Sequence, residues 1–409
     1  MRYEKLGNFV KLRQGLAVNK GNAYLFNDKK NDDFCYPLLR IVDLEKNNHC
    51  EYSRYVSKEV SKSVIIKDED IVFSRVTGGC FSGFSGVVHN NLFVVDLLDR
   101  QLSSNYLYVV LNSNLVKQQV LRLTSSSVVP DLTHDMFKSI VIPVFEQQIC
   151  NKISDLYFTL TEKIELNNKI ISELESMAKT LYDYWFLQFD FPNEDGKPYK
   201  SSGGKMVYNE EFEREIPEGW EVKELGKLFP ITMGSSPKGE CLNENGEGIE
   251  FYQGSTDFGS LFPTERIYTL GPIRLADKND ILLSVRAPVG DMNIAMNRCC
   301  IGRGLAAVHC DSSLFALNTL KTLDKYFKVF NTSGTTFGAL TSDGLKGQLV
   351  IAAPQKLVDK YKEIVDSAEK QIRKSEKENR DLVSLRDFLL PMLMNGQVTF
   401  KDAAEAHND

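Results

Sequence analysis

The chain has 409 residues, 42% hydrophobic and 25% charged, with a formal net charge of −6. That length suits two or three domains of ordinary globular composition, and no apolar run approaches the roughly 18 residues needed to span a bilayer. The opening MRYEKLGNFV lacks the apolar stretch of a signal peptide, and the eight cysteines contain no C-x-x-C pair, which excludes a zinc framework and reads as free thiols in a reducing cytoplasm.

Charge is uneven along the chain: +3 over residues 1–145, −6 over 146–216, −2 over 217–353 and −1 over 354–409. The acidity lies largely in the second of these segments. A DNA-binding surface on the globular parts is therefore permitted, because binding follows local fields rather than net charge.

Residues 1–145 read as a mostly β domain with some helix. Short β-branched and aromatic runs (Val64-Ile65-Ile66, Ile71-Val72-Phe73, Leu92-Phe93-Val94-Val95) alternate with Gly, Asn and Asp turns, and a helix is expected around Asn105–Leu123. Residues 146–189 change character. Seam positions recur at Ile149, Ile153, Leu156, Leu160, Ile164, Asn167, Ile171, Leu174, Ala178 and Leu181, a heptad-like stripe with one stutter at Leu160–Ile164. Residues 190–216 are rich in Gly, Ser, Pro and charge, lack periodicity, and read as a linker. Residues 217–353 repeat the first domain, with strands at Ile281-Leu282-Leu283 and Ala306-Ala307-Val308 and a helix around Leu314–Phe330. Residues 354–395 form a second long helix, which Pro391 is expected to kink or end. Residues 396–409 are a tail.

The repeat has an offset of about 208 residues. Ile71-Val72-Phe73-Ser74 returns as Ile281-Leu282-Leu283-Ser284 and Leu132-Thr133-His134-Asp135 as Leu340-Thr341-Ser342-Asp343, and each half opens on a Leu-Gly pair, Leu6-Gly7 and Leu225-Gly226. A period this long is a domain duplication, not a solenoid. Adding 208 to the seam gives Leu357, Tyr361, Ile364, Ala368, Ile372, Ser375, Asn379, Leu382, Arg386 and Leu389, nearly all on an apolar stripe with the stutter in the same place. Each helix would run about 60 Å, and such a stripe needs a partner helix to leave water. The nearest partner is its own repeat. The expected fold class is α+β: two globular domains of mixed β/α structure joined by two long antiparallel coiled-coil helices with pseudo-twofold symmetry.

Catalytic signatures are missing. There is no G-x-x-x-x-G-K-[ST] phosphate loop and no G-x-S-x-G nucleophile elbow. Histidines 49, 89, 134, 309 and 407 have no partner at a familiar spacing. Gly78 to Gly86 resembles the glycine-rich turn of adenosylmethionine-dependent methyltransferases, but strand and turn follow it instead of a helix, and the tetrapeptide that holds a target adenine is missing. It reads as a hairpin loop.

Loops that combine small polar residues with Arg or Lys suit base edges and phosphates. In the first domain these place Lys11, Arg13, Gln14, Arg75, Thr77, Arg122, Ser125 and Ser126 as candidates. In the second they place Ser235, Ser236, Lys238, Gln253, Ser255, Thr256, Arg286, Ser333, Thr335 and Thr336, with Arg75 and Arg286 following equivalent strands.

With these pieces in order, the chain resembles the specificity subunit of type I restriction–modification systems over essentially its whole length. The residues that carry the likeness are Ile142-Pro143 with Glu146-Gln147 before the first helix, the run Asp195-Gly196-Lys197-Pro198-Tyr199-Lys200-Ser201-Ser202-Gly203-Gly204, then Ile216-Pro217-Glu218-Gly219-Trp220, and Arg386-Asp387-Phe388-Leu389-Leu390-Pro391 with Gly396. The second helix departs from the pattern, opening on Ala353-Pro354-Gln355-Lys356. The resemblance implies that each globular part is a target recognition domain reading one half of a split, asymmetric site in double-stranded DNA. It implies that the helices set the unread spacer and dock two methyltransferase (modification) subunits, with restriction/translocase subunits joining through the complex. No cofactor is expected in this chain; adenosylmethionine, ATP and Mg would sit on those partners. No membrane is implied, and the setting would be cytoplasmic. The alternatives are a coiled-coil scaffold with two protein-binding heads, which apolar patches on the heads would favour, and a self-contained enzyme, which methyl transfer by the chain alone would favour.

Asn167, Ser375 and Asn379 are polar seam positions near the middle of the two helices; such residues fix pairing register at some cost in stability. Asn379→Leu is expected to raise thermal stability while populating shifted registers, read by disulfide crosslinking along the seam; one unshifted register would refute the role.

Overall fold

A computed structural model describes residues 1–45, 52–98, 102–125, 131–332 and 339–400. The chain forms two compact units, one from residues 1–165 with 379 onward, the other from 166–378. Each globular head is built from the same three sheets.

In the first unit a four-stranded antiparallel sheet runs in the order Val10–Gln14, Leu92–Leu97, Ile71–Ser74, Cys80–Phe81. A five-stranded sheet runs Phe26–Asn27, Tyr55–Ser57, Phe34–Leu39, Gly86–Val88, Ile65–Ile66, and its one parallel pairing is Leu38 and Leu39 with Val87 and Val88. Successive strand residues point to opposite faces. Ile71 and Phe73 join the core that holds Tyr106, Leu107 and Phe137, while Val72 joins a second core with Leu39, Phe84 and Val88. In the second unit the four-stranded order is Ile231–Met233, Leu305–Val308, Ile281–Ser284, Met292–Ile294. There Ile281 and Leu283 face one core and Leu282 the other. The five-stranded sheet again has one parallel pairing, Phe251 and Tyr252 with Cys300 and Ile301. The duplication is thus a duplication of topology, strand for strand.

Each head begins and ends on one two-stranded ribbon. Arg2–Lys5 pairs antiparallel with Val141–Val144, and Glu221–Glu224 with Leu349–Ala352. Between partner residues the chain covers 136 residues in the first head (Lys5 to Val141) and 125 in the second (Glu224 to Leu349). The repeated Leu-Gly pair follows the first ribbon strand. Leu6 and Leu225 are fully buried, and a Cβ on Gly7 or Gly226 would lie 2.8 Å from Lys138 Cβ or 2.9 Å from Lys346 Cβ. The repeated Leu-Thr pair is a buried leucine followed by a helix cap: Thr133 accepts from the Met136 N–H, and Thr341 from the Gly344 N–H.

The single helices expected around Asn105–Leu123 and Leu314–Phe330 are each two. The first splits into Ser104–Asn112 and Asn114–Thr124, because Ser113 is extended and its hydroxyl caps the second piece at the Val116 N–H. The other splits into Ser313–Lys321 and Asp324–Thr332.

The long helices span Gln147–Tyr182 and Gln355–Met394. Within each unit a stretch of one packs on a stretch of the other. In the first, Cys150, Ile153, Leu156 and Tyr157 share a core with Leu389, Leu390, Leu393 and Met394. In the second, Ile171, Leu174, Ala178 and Tyr182 share one with Leu357, Tyr361, Val365 and Ile372. There the hydroxyl of Tyr361 donates to the Ala178 carbonyl at 2.8 Å and the Asn167 amide to Glu378 at 2.9 Å, so the two stretches run antiparallel. Two seam assignments need correction. Ile149 and Ile364 are exposed, and their neighbours Cys150 and Val365, both fully buried, take the inward positions. Asn167, Ser375 and Asn379 are all buried. The second helix does not stop at Pro391 but continues one turn to Met394, held by burial of Leu393 and Met394 and closed at Gly396, whose φ of 76° suits glycine.

The segment 190–216, read from the sequence as a linker without periodicity, is folded. The first helix widens into a π turn at Asp183–Leu187 and ends at Phe189. Asp190 accepts from both the N–H and the hydroxyl of Ser201, which hold its carboxyl below the usual range. Phe191 stacks between Tyr199 and Trp220, and Met206–Asn209 forms a hairpin with Arg214–Pro217. The order comes from side-chain-to-backbone bonds and aromatic stacking, neither of which has a sequence period.

Tyr361 sits among Tyr182, Trp185, Phe186 and Phe315 with ring centroids 5.3–6.1 Å away. Tyr361→Phe is expected to lower stability by about 1 kcal/mol through the lost hydroxyl bond. Tyr361→Ala should lower it by about 3–5 kcal/mol. Urea titration of the intact chain, followed by near-UV circular dichroism, measures both.

Candidate nucleic-acid interface

At one end of each four-stranded sheet, three chain segments meet. In the first head these are Gln14 at the end of its strand, Ser74-Arg75 at the end of the central strand, and the turn His89-Asn90-Asn91. The amide of Gln14 and the Nη1 of Arg75 both donate to the Asn90 carbonyl, at 2.9 and 3.2 Å. Backbone bonds lock the arrangement: Leu16 N–H to Val88, His89 N–H to Leu39, and Arg75 N–H to Asn91. Burial, then the Arg40 charge, holds the His89 imidazole below its ordinary value, so near neutral pH it is an uncharged hydrogen-bonding group.

The second head repeats these bonds as Ser235 N–H to Ile301, Gly302 N–H to Tyr252, and Val285 N–H to Gly304. Arg75 and Arg286 do follow equivalent strands, Ile71–Ser74 and Ile281–Ser284, but at different positions. Arg75 corresponds to Val285, which is buried, and not to Arg286, which lies one residue further out and is exposed. The repeated bonds also align Asn90 with Arg303 and Arg40 with Gln253.

Placement of the remaining candidates is mixed. Arg13 is not free: its guanidinium makes a bidentate pair with Asp96 at 2.7 and 2.9 Å and reaches the Ser63 carbonyl. Arg75 is four-fifths buried, paired with Asp131 at 2.8 Å and set over the Phe93 ring. Lys11 is exposed three residues back along the strand, opposite Asp96. Thr77 is exposed on the Ser74–Gly79 turn, which touches the helix Asn114–Thr124 where Gly78 meets Val120. The exposed Arg122 and Ser125 close that helix. Ser235, Ser236 and Gln253 come together in the second head; Ser255 and Thr256 follow on a short helical turn, and Lys238 is exposed beside Glu240. Ser126, Ser333, Thr335 and Thr336 lie outside the described residues.

Three residues with a claim to this surface escaped the sequence reading: Arg40, Arg274 and Arg303. The second head has five arginines. Arg266 and Arg298 are paired with Asp257 and Asp277. Arg274, Arg286 and Arg303 have no carboxylate partner among the described residues, and all three border one turn: the Arg274 carbonyl accepts from Ile301, and Arg286 follows Val285 on Gly304. The sequence does carry a signal for Arg303, since Gly302-Arg303-Gly304 is a loop of small residues around an arginine.

His309 also departs from its solitary reading. Its Nδ1 lies 2.6 Å from Asp280, and its Nε2 2.8 Å from the Thr232 hydroxyl. Asp277, Asp280 and His309 cluster closely enough for a metal ion, but both ring nitrogens already have protein partners, so the group serves as a brace between strands.

The sequence model of the type I restriction modification DNA specificity domain matches residues 4–176 and again 217–382, a head and most of its following helix each time. The chain belongs to this family. It is 30% identical over 406 residues to a Methanocaldococcus jannaschii protein described as the MjaX type I restriction enzyme specificity subunit, covering 90% of this chain and 89% of that one. It is 26% identical over 367 residues to the MjaIX specificity subunit of the same organism, covering 84% and 81%. The crystal structure of a type I restriction–modification S subunit from M. genitalium shares the fold, with a TM-score of 0.57 at 16% identity, over 98% of this chain and 96% of that one. As a type I specificity subunit the chain supplies DNA target recognition within a complex and is not itself the enzyme. Among the described residues no helix is long and apolar enough to cross a membrane.

Replacing Arg274 and Arg286 together by Gln should reduce the slope of log binding constant against log salt concentration by about 1.8, at about 0.9 per phosphate released. An unchanged slope in a salt titration of DNA binding would place both arginines away from the backbone.

Proposed function

We propose that the chain reads a bipartite, asymmetric DNA site, one half per head, and that the paired long helices fix the unread spacer and dock two methyltransferase subunits. The observation that carries this reading is the equivalent sheet end of the two heads. The backbone bonds are repeated, yet the side chains they present differ: Arg40 and Asn90 in one head, Gln253 and Arg303 in the other. One scaffold with two sets of hydrogen-bonding groups suits two different half-sites.

Docking is supported by apolar residues left in water on the helices. Met177 and Tyr184 are 48% and 37% exposed on the first helix, and Leu385 and Phe388 are 44% and 63% exposed on the second. Leu385 is the 208-residue equivalent of Met177. Apolar patches in corresponding places are the expected mark of two copies of one partner. Those partners would carry the adenosylmethionine and the adenine chemistry, and restriction subunits the ATP and Mg. A scaffold with two protein-binding heads is disfavoured, because the meeting loops of the heads are polar and basic rather than apolar.

Deleting one heptad from each long helix should change the spacer length and leave both half-sites as they were. Methylation mapping by sequencing checks this; altered half-sites with the original spacer would refute the ruler role.

A further inference from the structure

We propose that Arg303 reads a guanine in the half-site bound by the second head, and that Ser236 and Gln253 position its guanidinium. The inference rests on the half-site reading above and adds a residue and a base to it.

Arg303 is the exposed middle residue of the turn Gly302-Arg303-Gly304. The turn is clamped from below. Gly302 donates to the Tyr252 carbonyl at 2.8 Å, Gly304 to Gln253 at 3.1 Å, and Leu305 to Gly302 at 3.0 Å. A Cβ on Gly302 would come within 2.7 Å of the Gln253 side-chain oxygen, and one on Gly304 within 2.5 Å of the Gln253 carbonyl. The two glycines let the turn press against Gln253, which leaves its tip little freedom.

The side chain is held as well. The Ser236 hydroxyl donates to the Gln253 amide oxygen at 2.8 Å and accepts from both the N–H and the Nε–H of Arg303, each at 3.3 Å. With Nε engaged, the Nη1 and Nη2 edge remains, and among the described residues nothing pairs with it. Arginine addresses guanine by donating two parallel hydrogen bonds to O6 and N7 in the major groove, the commonest base-specific contact in protein–DNA interfaces. A guanidinium already oriented loses less conformational freedom on binding. A phosphate contact needs charge, which Arg274 and Arg286 supply nearby; it does not need the serine and glutamine that fix the rotation of the fork. In the first head the equivalent position is Asn90, a residue suited to adenine, so the two heads would prefer different bases at corresponding places.

The test uses the purified complex with its modification subunits, bound in competition to duplexes carrying every base substitution across the methylated site. The wild type should prefer one G·C pair in one half-site by about tenfold or more. R303K, which keeps the charge and loses the fork, should bind all four pairs at that position within about twofold, while every other position and the spacer keep their preferences. S236A should show the same relaxation at the same position, more weakly. The inference is overturned if R303K weakens binding equally at all duplexes, which is phosphate behaviour, or if its base preferences match the wild type. If the wild-type site is not bipartite at all, the half-site reading falls instead. Matching melting curves for the variants and the wild type exclude misfolding as the cause.

Discussion

An apolar stripe on a helix of 36 or 40 residues cannot be buried by the helix that carries it. The structure answers this constraint with the other copy of the same stripe. Each unit takes a stretch of both long helices, packs them antiparallel, and seats a head on the pair through aromatic residues such as Tyr361 or Tyr157. The first unit is therefore assembled from two separate pieces of the sequence, residues 1–165 and 379 onward, while the second is the single stretch 166–378 between them. The division at residues 165 and 379 cuts through both helices, which explains why pattern-reading places domain boundaries at the helix ends while compactness places them in the middle.

The helices were legible because they are long and periodic, so that many weak preferences add. The duplication was legible because the repeated tetrapeptides have structural work to do: a central strand buried on both faces, and a leucine anchor followed by a threonine cap. Other features depend on contacts distant in sequence and leave no period. Ser113 breaks a helix that composition alone would continue. Segment 190–216 has the composition of a linker, yet Asp190, Ser201, Phe191 and Trp220 fold it. Of the candidate contacts, Arg13 and Arg75 were chosen for their residue type and turned out to be engaged by Asp96 and Asp131, 83 and 56 residues away. Whether an arginine is free depends on where the carboxylates fall in three dimensions, and that is why Arg303 was passed over.

The electrostatics of the heads follow the same logic. The second head has a net negative charge, yet three of its five arginines border one turn with no carboxylate partner among the described residues. In the first head every described arginine except Arg122 is in an ion pair. A nucleic acid meeting these surfaces would find a local concentration of charge in one case and a network of restrained polar groups in the other, two different balances of phosphate attraction and base discrimination within one fold.

The two-stranded ribbon at the base of each head has an architectural meaning. Because a head departs and returns on adjacent antiparallel strands, it is in effect a long loop spliced into the chain just ahead of a helix. The two loops differ by eleven residues, yet in both heads the helix starts three residues after the returning strand ends, at Gln147 after Val144 and at Gln355 after Ala352. Size and surface can drift inside the splice without disturbing the phase of the seam. Such a chain can accept a new head as a socket accepts a new tool, provided the incoming segment starts and finishes on strands that can pair.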